Sequence, residues 1–182
     1  MTKTTVEQYA VLDFEASSLS LDSWPIEVGI SWIEQGKVQT WSSLIYPAPE
    51  WDLLDWSIQS AAVHKISFAH LRGAPVAAEI APEVIKQMHG KTLVSDAPNH
   101  EQHWLSKLLE TDPTCDVPTV ANFDSVSAAL FDGYALDMLY EALERTTAPH
   151  RAGPDSARLT KAWLKAKEID AELKGGKTDR KN

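Results

Sequence analysis

Three stretches near the start of the chain have the hydrophobic pattern of β-strands, the first as an apolar run and the other two as alternating hydrophobic and polar residues. These stretches are residues 7–14, 26–33 and 38–46. The polar turn Glu34-Gln35-Gly36-Lys37 separates the second stretch from the third. The pattern predicts a first strand followed by an antiparallel hairpin, which ends at Pro47-Ala48-Pro49.

Apolar residues recur at helical spacing through much of the remaining chain. Two short apolar runs, 91–96 and 117–120, predict further strands, and prolines near the second make it an edge candidate. Short helical turns are expected within 53–66. The longer predicted helices are 75–89, one that begins near Pro98, a stretch over 123–146 with a break near Gly133, and a last helix from about Gly153 to Leu173.

This order of elements predicts an α/β fold with a mixed β-sheet, in which an antiparallel hairpin joins parallel strands and helices flank the sheet. A chain of 182 residues, 43% of them hydrophobic, suits one compact domain. We expect residues 1–173 to form that domain. Residues 174–182 include Gly175-Gly176 and are otherwise polar, so we expect them to form a disordered tail.

Composition excludes several classes of protein. A single cysteine, Cys115, leaves no intramolecular disulfide framework. The sequence has no apolar run long enough to span a membrane and no signal peptide at its polar start. We therefore expect a cytoplasmic protein without a membrane partner.

Charge is distributed unevenly along the chain. Residues 1–144 hold 7 Lys and Arg against 21 Asp and Glu, whereas residues 145–182 hold 10 against 5. The basic final segment is suited to guiding a phosphate backbone toward an acidic site that has bound cations, because those cations reverse the sign of the local field. The alternative is a solvated helix face and a tail without a partner.

Two carboxylates end the first apolar run. In a strand, Asp13 and Glu15 point to one side while Leu12 and Phe14 point to the other, so the two acids share a small space. At about 4 Å, two such charges repel by roughly 4 kcal/mol at an effective dielectric constant near 20. Protonation or a bound cation relieves that repulsion. The alternative is that the strand has ended and both acids are solvated.

Other residues with acid or base chemistry fall at comparable junctions. Asp96 and Glu101 lie where the 91–96 strand passes into the next helix. Asp155 lies in the first turn of the last helix, and His150 lies in the loop before it. Strand ends and helix starts gather at one edge of a sheet of this kind, so we expect these side chains to meet there.

In order along the chain, these motifs resemble the three exonuclease motifs of the DEDDh exonuclease superfamily, the family of RNase T, oligoribonuclease and the polymerase III proofreading subunit. The resemblance covers about residues 7–172 and implies a ribonuclease H-like fold. It rests on Asp13-Phe14-Glu15 followed by Leu19, on a helix-borne acid after the strand that contains Leu93, and on His150-Arg151-Ala152-Gly153-Pro154-Asp155-Ser156. Ser156 stands where the family usually has alanine.

The second motif departs from the family pattern. Placing Trp104 and Leu105 on the family's apolar positions puts Glu101, not Asp96, on the acidic position. A glutamate reaches further than the usual aspartate, which affects the geometry of a metal site. Asp96 then falls where the family often has histidine, and it is a candidate N-cap of the helix.

The resemblance implies hydrolysis of phosphodiester bonds with two Mg²⁺ or Mn²⁺ ions, which prefer hard oxygen ligands. Asp13 would bridge both ions, Glu15 and Asp155 would complete one coordination sphere, and Glu101 would hold the second ion. His150, with an ordinary pKa of about 6.5, would be the general base. Mononucleotides would then be released from the 3′ end of single-stranded RNA or DNA, with RNA favoured.

The resemblance also implies contacts to the terminal nucleotide. Leu19 takes the position of an apolar side chain that packs on the terminal bases, and His64 resembles a histidine that touches the terminal nucleotide. The alternatives are a core leucine and a surface histidine. Ser17-Ser18 occupies the turn where relatives often carry Thr-Gly. A homodimer is carried over from related enzymes as the expected assembly.

Two functions from different classes follow. The first is a metal-dependent 3′–5′ exonuclease. The second is a nuclease-like module that binds nucleic acid but has lost catalysis, with Glu101 as the sign of an altered site. Trp51 and Trp56, in a stretch of weak periodicity, are candidates for stacking on bases in either case.

Overall fold

The computed structural model describes residues 4–178 and has one five-stranded sheet within that range. The strand order is β3-β2-β1-β4-β5. The first three strands are antiparallel neighbours, whereas β4 pairs in parallel with both β1 and β5. The predicted α/β class and mixed sheet are therefore confirmed. The strands are β1 (Tyr9–Ala16), β2 (Pro25–Glu34), β3 (Lys37–Leu44), β4 (Thr92–Ser95) and β5 (Ala121–Asn122).

Helices cover both faces of the sheet. They are α1 (Ile58–His64), α2 (Phe68–Leu71), α3 (Ala77–Gln87), α4 (Pro98–Leu109), α5 (Phe123–Leu130), α6 (Gly133–Glu144) and α7 (Ala152–Thr178), and a 3₁₀ turn (Val6–Gln8) precedes β1. The predicted break near Gly133 is present between α5 and α6. No helix in the described range has the length and apolar character needed to cross a lipid bilayer.

Alternation along β1 divides the interior into two clusters. Leu12 and Phe14 pack with residues of α3 and α4 on one face. Val11 packs with residues of α5, α6 and α7 on the other. Because successive side chains of a strand point to opposite faces, Asp13 and Glu15 continue the face of Val11, toward the start of α7.

Gly29 allows the start of α7 to lie directly on the sheet. It is the register partner of Asp13 in the pair of β1 and β2. A Cβ atom at Gly29 would overlap the backbone of Ala152 and Gly153. The absence of a side chain at this position therefore sets the distance between the first turn of α7 and the acidic end of β1.

Replacing Gly29 by alanine is expected to destabilise the fold by about 1–3 kcal/mol, because backbone atoms have to move to make room. Gly73→Ala is the matched control, since a Cβ there meets nothing within 4 Å. Its effect should stay within about 0.5 kcal/mol. Urea denaturation of both variants measures the difference. Equal stabilities would show that α7 can move away without cost.

The prediction of a strand at 117–120 was wrong. The fifth strand is only two residues long and lies at Ala121–Asn122, on the edge of the sheet. The side chain of Gln102 on α4 takes the backbone bonds of the preceding segment, donating to the Pro118 carbonyl at 3.1 Å and accepting from the Val120 N–H at 2.8 Å. Pro118 itself has no N–H to give to a ladder.

The last helix continues five residues beyond the predicted end at Leu173, through Gly175-Gly176 to Thr178. An ion pair between Lys174 and Asp170, four residues apart, lies in this last part. Residues 179–182, the end of the predicted tail, lie outside the described residues.

The prediction that Trp51 stacks on bases was wrong. Trp51 is buried and stacks on Trp24 with ring centroids 6.0 Å apart. Trp56 is half-buried and also packs against Trp24, at 5.8 Å. Both rings therefore belong to an internal aromatic cluster completed by Phe68.

Candidate active site

A cavity of about 320 Å³ lies at the carboxyl end of β1, beside the first turns of α4 and α7. It brings together the five residues that the sequence assigned to chemistry, although they come from three separate parts of the chain. Its lining consists of Asp13, Phe14, Glu15, Leu19, Asp96, Ala97, His100, Glu101, Trp104, Ala148, His150, Asp155, Arg158 and Leu159.

Three carboxylates form the centre of the cavity. One oxygen from each of Asp13, Glu15 and Asp155 lies within 4.8 Å of the others. The strand places the first two on one face, and the first turn of α7 brings in the third. Asp155 is held by the N–H of Arg151, which donates to its Oδ2 at 3.0 Å. The arrangement gathers negative charge around a point where a cation fits.

Glu101 approaches this group from α4 and is only 3% exposed. Burial raises the pKa of Glu101 well above its ordinary value, and the charges of Asp13, Asp96 and Glu15 raise it further. A backbone hydrogen bond with Phe14 opposes that shift. A carboxylate in this position is therefore costly to ionise unless a cation compensates it.

The pKa values of Asp13, Glu15 and Asp155 are also raised. Burial raises the pKa of Asp13 well above its ordinary value, with the charges of Glu15 and Asp155 adding to the effect. Burial and the charge of Asp155 raise the pKa of Glu15 to about 7. The pKa of Asp155 is also raised by burial, against the opposing effects of its bond from Arg151 and the charge of His150.

The donor set fits a divalent metal ion. All four groups supply hard carboxylate oxygens, which Mg²⁺ and Mn²⁺ prefer. Among the described residues that line this cavity, Glu101 Oε2 and Asp155 Oδ1 are buried without a hydrogen-bond partner. Such atoms need a partner, and a cation among the four groups would supply one. The cluster is therefore suited to metal binding.

His150 lies on the rim of the cavity and is solvent-exposed. Its backbone has φ of 55°, in the left-handed region that few residues other than glycine adopt. This turn precedes α7 directly. The strained backbone, of the kind often found at functional sites, places the residue beside Asp155.

By sequence, neither a family model nor a curated protein matches this chain. By structure, it is similar to a full-length 3′-exonuclease, with a TM-score of 0.68 and 13% identity over 93% of this chain and 63% of that one. It is also similar to the nuclease domain of 3′hExo, a DEDDh family member bound to rAMP, with a TM-score of 0.63 and 14% identity over 88% and 92% of the two chains.

The chain therefore has the fold of these exonuclease structures. Exonuclease X in complex with 5′ overhanging duplex DNA is a further match, with a TM-score of 0.55, 16% identity, and coverage of 90% of this chain and 92% of that one. Identities this low establish the exonuclease fold and not the substrate. The chain spans less than two thirds of the full-length 3′-exonuclease.

Asp96 has a different place in the exonuclease fold from Glu101. Both acids line the cavity and lie outside the group of three close carboxylates, but Asp96 is exposed whereas Glu101 is buried. The prediction that it caps α4 was wrong, because Ala97 is the N-cap residue. Ser95 closes this turn instead, with its hydroxyl accepting from the Ala97 N–H at 3.1 Å.

A second cavity of about 140 Å³ adjoins the first and shares four residues with it, Phe14, Glu15, Leu19 and Trp104. Leu19 is 72% exposed and is therefore not a core leucine. His64 is 3% exposed, which makes it a buried wall of this cavity and not a surface histidine. Its Nδ1 accepts from the Ile66 N–H at 3.0 Å.

The two serines of the predicted substrate loop have different surroundings. Ser17 is buried and lines neither cavity, and its hydroxyl accepts from the Trp24 N–H at 3.0 Å. Ser18 lines the smaller cavity, and its hydroxyl accepts from the Ser20 N–H at 3.0 Å. The Ser17 hydroxyl therefore shapes the loop, whereas Ser18 also lies beside the open space.

Sequence reasoning gave no role to Glu27, Arg151 or Arg158. Glu27 is a buried carboxylate in β2. It takes a polar position in the alternating pattern of that strand, so no signal in the sequence marked its burial. Arg158 lines the large cavity and donates to the carbonyl groups of Leu143, in the last turn of α6, and of Thr146, just beyond it. It therefore ties α7 to the end of α6, across the loop that carries His150.

Proposed function

We propose that this protein is a metal-dependent 3′–5′ exonuclease that hydrolyses single-stranded nucleic acid, with RNA favoured over DNA. The observation that carries the proposal is the meeting of Asp13, Glu15 and Asp155 within 4.8 Å, on an exonuclease fold. The buried, unpartnered oxygen of Glu101 in the same cavity supports it. Of the matched structures, one binds rAMP and another binds duplex DNA, so both sugars enter the test.

The carboxylates are assigned to two Mg²⁺ or Mn²⁺ ions. Asp13, central among the acids, would contact both, Glu15 and Asp155 would complete one site, and Glu101 would hold the other. Bound ions of this kind polarise the scissile phosphate and lower the pKa of the attacking water. The acids by themselves repel a phosphate backbone, so the metal-free protein should not bind the 3′ end productively.

His150 is assigned as the general base that accepts a proton from the attacking water. Its exposed imidazole on the rim allows the proton to pass on to solvent after each turnover. Leu19, Ser18 and His64 are assigned to the terminal nucleoside, because they line the smaller cavity that adjoins the acids. We further propose a cytoplasmic enzyme and a homodimeric assembly.

The decisive experiment follows 5′-labelled RNA and DNA strands of identical sequence, with Mg²⁺ or Mn²⁺, at nucleotide resolution. Shortening one nucleotide at a time from the 3′ end is expected. His150→Ala should slow the reaction by about 10²–10⁴-fold, the usual contribution of a general base. His70→Ala is the control, since His70 is exposed and lines neither cavity. Binding without cleavage would instead identify a nucleic-acid-binding module.

Matched amide variants decide which acid completes the second motif. Glu101→Gln should slow cleavage by at least ~100-fold, because it removes a negative oxygen that holds a cation. Asp96→Asn should remain within about threefold of the wild type, since an exposed carboxylate contributes little. Rate measurements over a series of Mn²⁺ concentrations give the comparison. A severe loss with Asp96→Asn alone would transfer the assignment to Asp96.

A further inference from the structure

Glu27 is a buried carboxylate that lies in β2 directly opposite Glu15 of β1. At 4% exposure it needs charged or hydrogen-bonding partners, because an unpaired buried charge is strongly unfavourable. Arg151 supplies two of them, with Nε at 2.9 Å from Oε2 and Nη2 at 2.6 Å from Oε1. The Ala152 N–H donates to the same Oε2 at 3.1 Å.

All three bonds come from the short segment that connects His150 with Asp155. Arg151 follows the proposed general base, and its own N–H donates to Oδ2 of Asp155. Ala152 is the first residue of α7. Glu27 therefore anchors this segment to the sheet. The segment carries Asp155, a proposed metal ligand, and His150, the proposed base.

The contact continues along alternate residues of β2. Gly29 lies under the backbone of Ala152, and the Ser31 hydroxyl lies 2.9 Å from the hydroxyl of Ser156. Glu27 is the charged member of this row. Gly29 and Ser31 set the distance of α7 from the sheet, whereas the two-pronged bond to Arg151 also restricts the orientation of the segment.

We propose that Glu27 is a positioning residue that acts through Arg151 to hold His150 and Asp155 in place beside Asp13 and Glu15. This inference rests on the proposed exonuclease function. The guanidinium is not needed to fill the interior, because the Arg151 side chain is 45% exposed. Burial of an ion pair is also weak evidence for a contribution to stability, since apolar or neutral replacements are often tolerated. A role in orienting the segment accounts for the two hydrogen bonds between Arg151 and Glu27.

The test separates positioning from folding by comparing Glu27→Gln with the neutral pair Glu27→Gln/Arg151→Met. The neutral pair leaves no uncompensated charge and should melt close to the wild type. Both variants should lose about 100-fold in kcat, the order of loss that follows from a displacement of about 1 Å at a reacting group, while KM changes less than threefold. Arg151→Lys keeps the positive charge but loses the planar guanidinium that makes two parallel hydrogen bonds, so its kcat should be reduced as well.

The control is the exposed pair of Glu83 and Lys86 on α3. Glu83→Gln/Lys86→Met should leave kcat and the melting temperature unchanged. If the neutral pair at Glu27 and Arg151 recovers kcat to within threefold of the wild type, the ion pair serves folding only and the proposal is overturned. Should Glu27→Gln alone fail to fold, the neutral pair and Arg151→Lys still give this answer.

Amide hydrogen exchange of residues 148–156 tests the positioning without reference to activity. Exchange should accelerate in Glu27→Gln and in the neutral pair, and it should stay unchanged in the control pair. Unchanged exchange in both Glu27 variants overturns the proposal. If the wild-type protein does not cleave RNA or DNA, the proposed exonuclease function is wrong. Faster exchange of residues 148–156 in the Glu27 variants would still support the positioning of this segment by Glu27.

Discussion

Asp13→Asn is expected to reduce hydrolysis by at least ~10³-fold, which corresponds to losing about 4 kcal/mol of the stabilisation that metal ions give to a transition state. Asp13 lies between the acids contributed by β1, α4 and α7, so its loss affects both proposed ion sites. Asparagine has nearly the same volume, and the fold should therefore remain.

The same variant should be at least as stable as the wild type at neutral pH when no divalent cation is present. Folding raises the pKa of Asp13 through burial and through the charges of Glu15 and Asp155. A carboxyl group with a raised folded pKa lowers the stability of the fold progressively as the pH rises from the unfolded pKa to the folded pKa. The neutral amide removes that cost and also lowers the repulsion on its neighbours.

Cleavage rates and thermal melting of Asp13→Asn, each compared with Asp137→Asn, check both statements. Asp137 is an exposed residue of α6 and lines neither cavity, so its variant should match the wild type. Cleavage by Asp13→Asn within tenfold of the wild-type rate would contradict the two-ion assignment. A large loss of stability would show that the carboxylate supports the fold by another route.

Mg²⁺ or Mn²⁺ should stabilise the protein strongly at pH 8 and weakly at pH 5. At 100 times its Kd, a ligand adds about 2.7 kcal/mol, which raises Tm by roughly 5 to 11 °C in a domain of this size. A cation requires ionised ligands. Because the pKa of Glu15 is raised to about 7 and those of Asp13, Glu101 and Asp155 are also raised, protons compete with the cation in mildly acidic solution.

The metal-free protein should show the opposite trend over the same range. The Glu15 carboxyl is protonated in the folded state and ionised in the unfolded state between about 4.5 and 7, so the fold loses stability as the pH rises through that window. Melting curves with EDTA and with Mn²⁺ at several pH values measure both trends. A Tm shift that does not depend on pH would place the cation away from these carboxylates.

Much of the fold follows from local pattern. The apolar run of β1 and the alternation in the hairpin of β2 and β3 predict strands, because a half-buried strand imposes a period of two on its side chains and a strand buried on both faces is continuously apolar. The prediction of a strand at 117–120 is wrong because the side chain of Gln102, distant in sequence, forms hydrogen bonds with the backbone of that segment. The end of α7 was also misplaced, since glycine weakens a helix by only about 1 kcal/mol and does not forbid it.

Part of the candidate site could also be predicted from the sequence. The spacing of Asp13 and Glu15 predicts that they share a face, and the order of the motifs predicts that Asp155 and His150 join them. The choice between Glu101 and Asp96 depends on which side chain is buried. Asp96 lies in the turn before α4 and is exposed, whereas Glu101, five residues later on the helix, is buried. Local sequence does not specify that difference.

The sequence by itself determined the α/β class, the carboxylates and histidine available for chemistry, and the strand face on which Asp13 and Glu15 lie, because these depend on residue type and on local periodicity. Only the tertiary structure decided which acids meet, which are buried and what holds them. Glu27 and Arg151 are 124 residues apart and pair only because β2 runs beneath the start of α7. Contacts of this kind arise when the chain packs, and no local period encodes them.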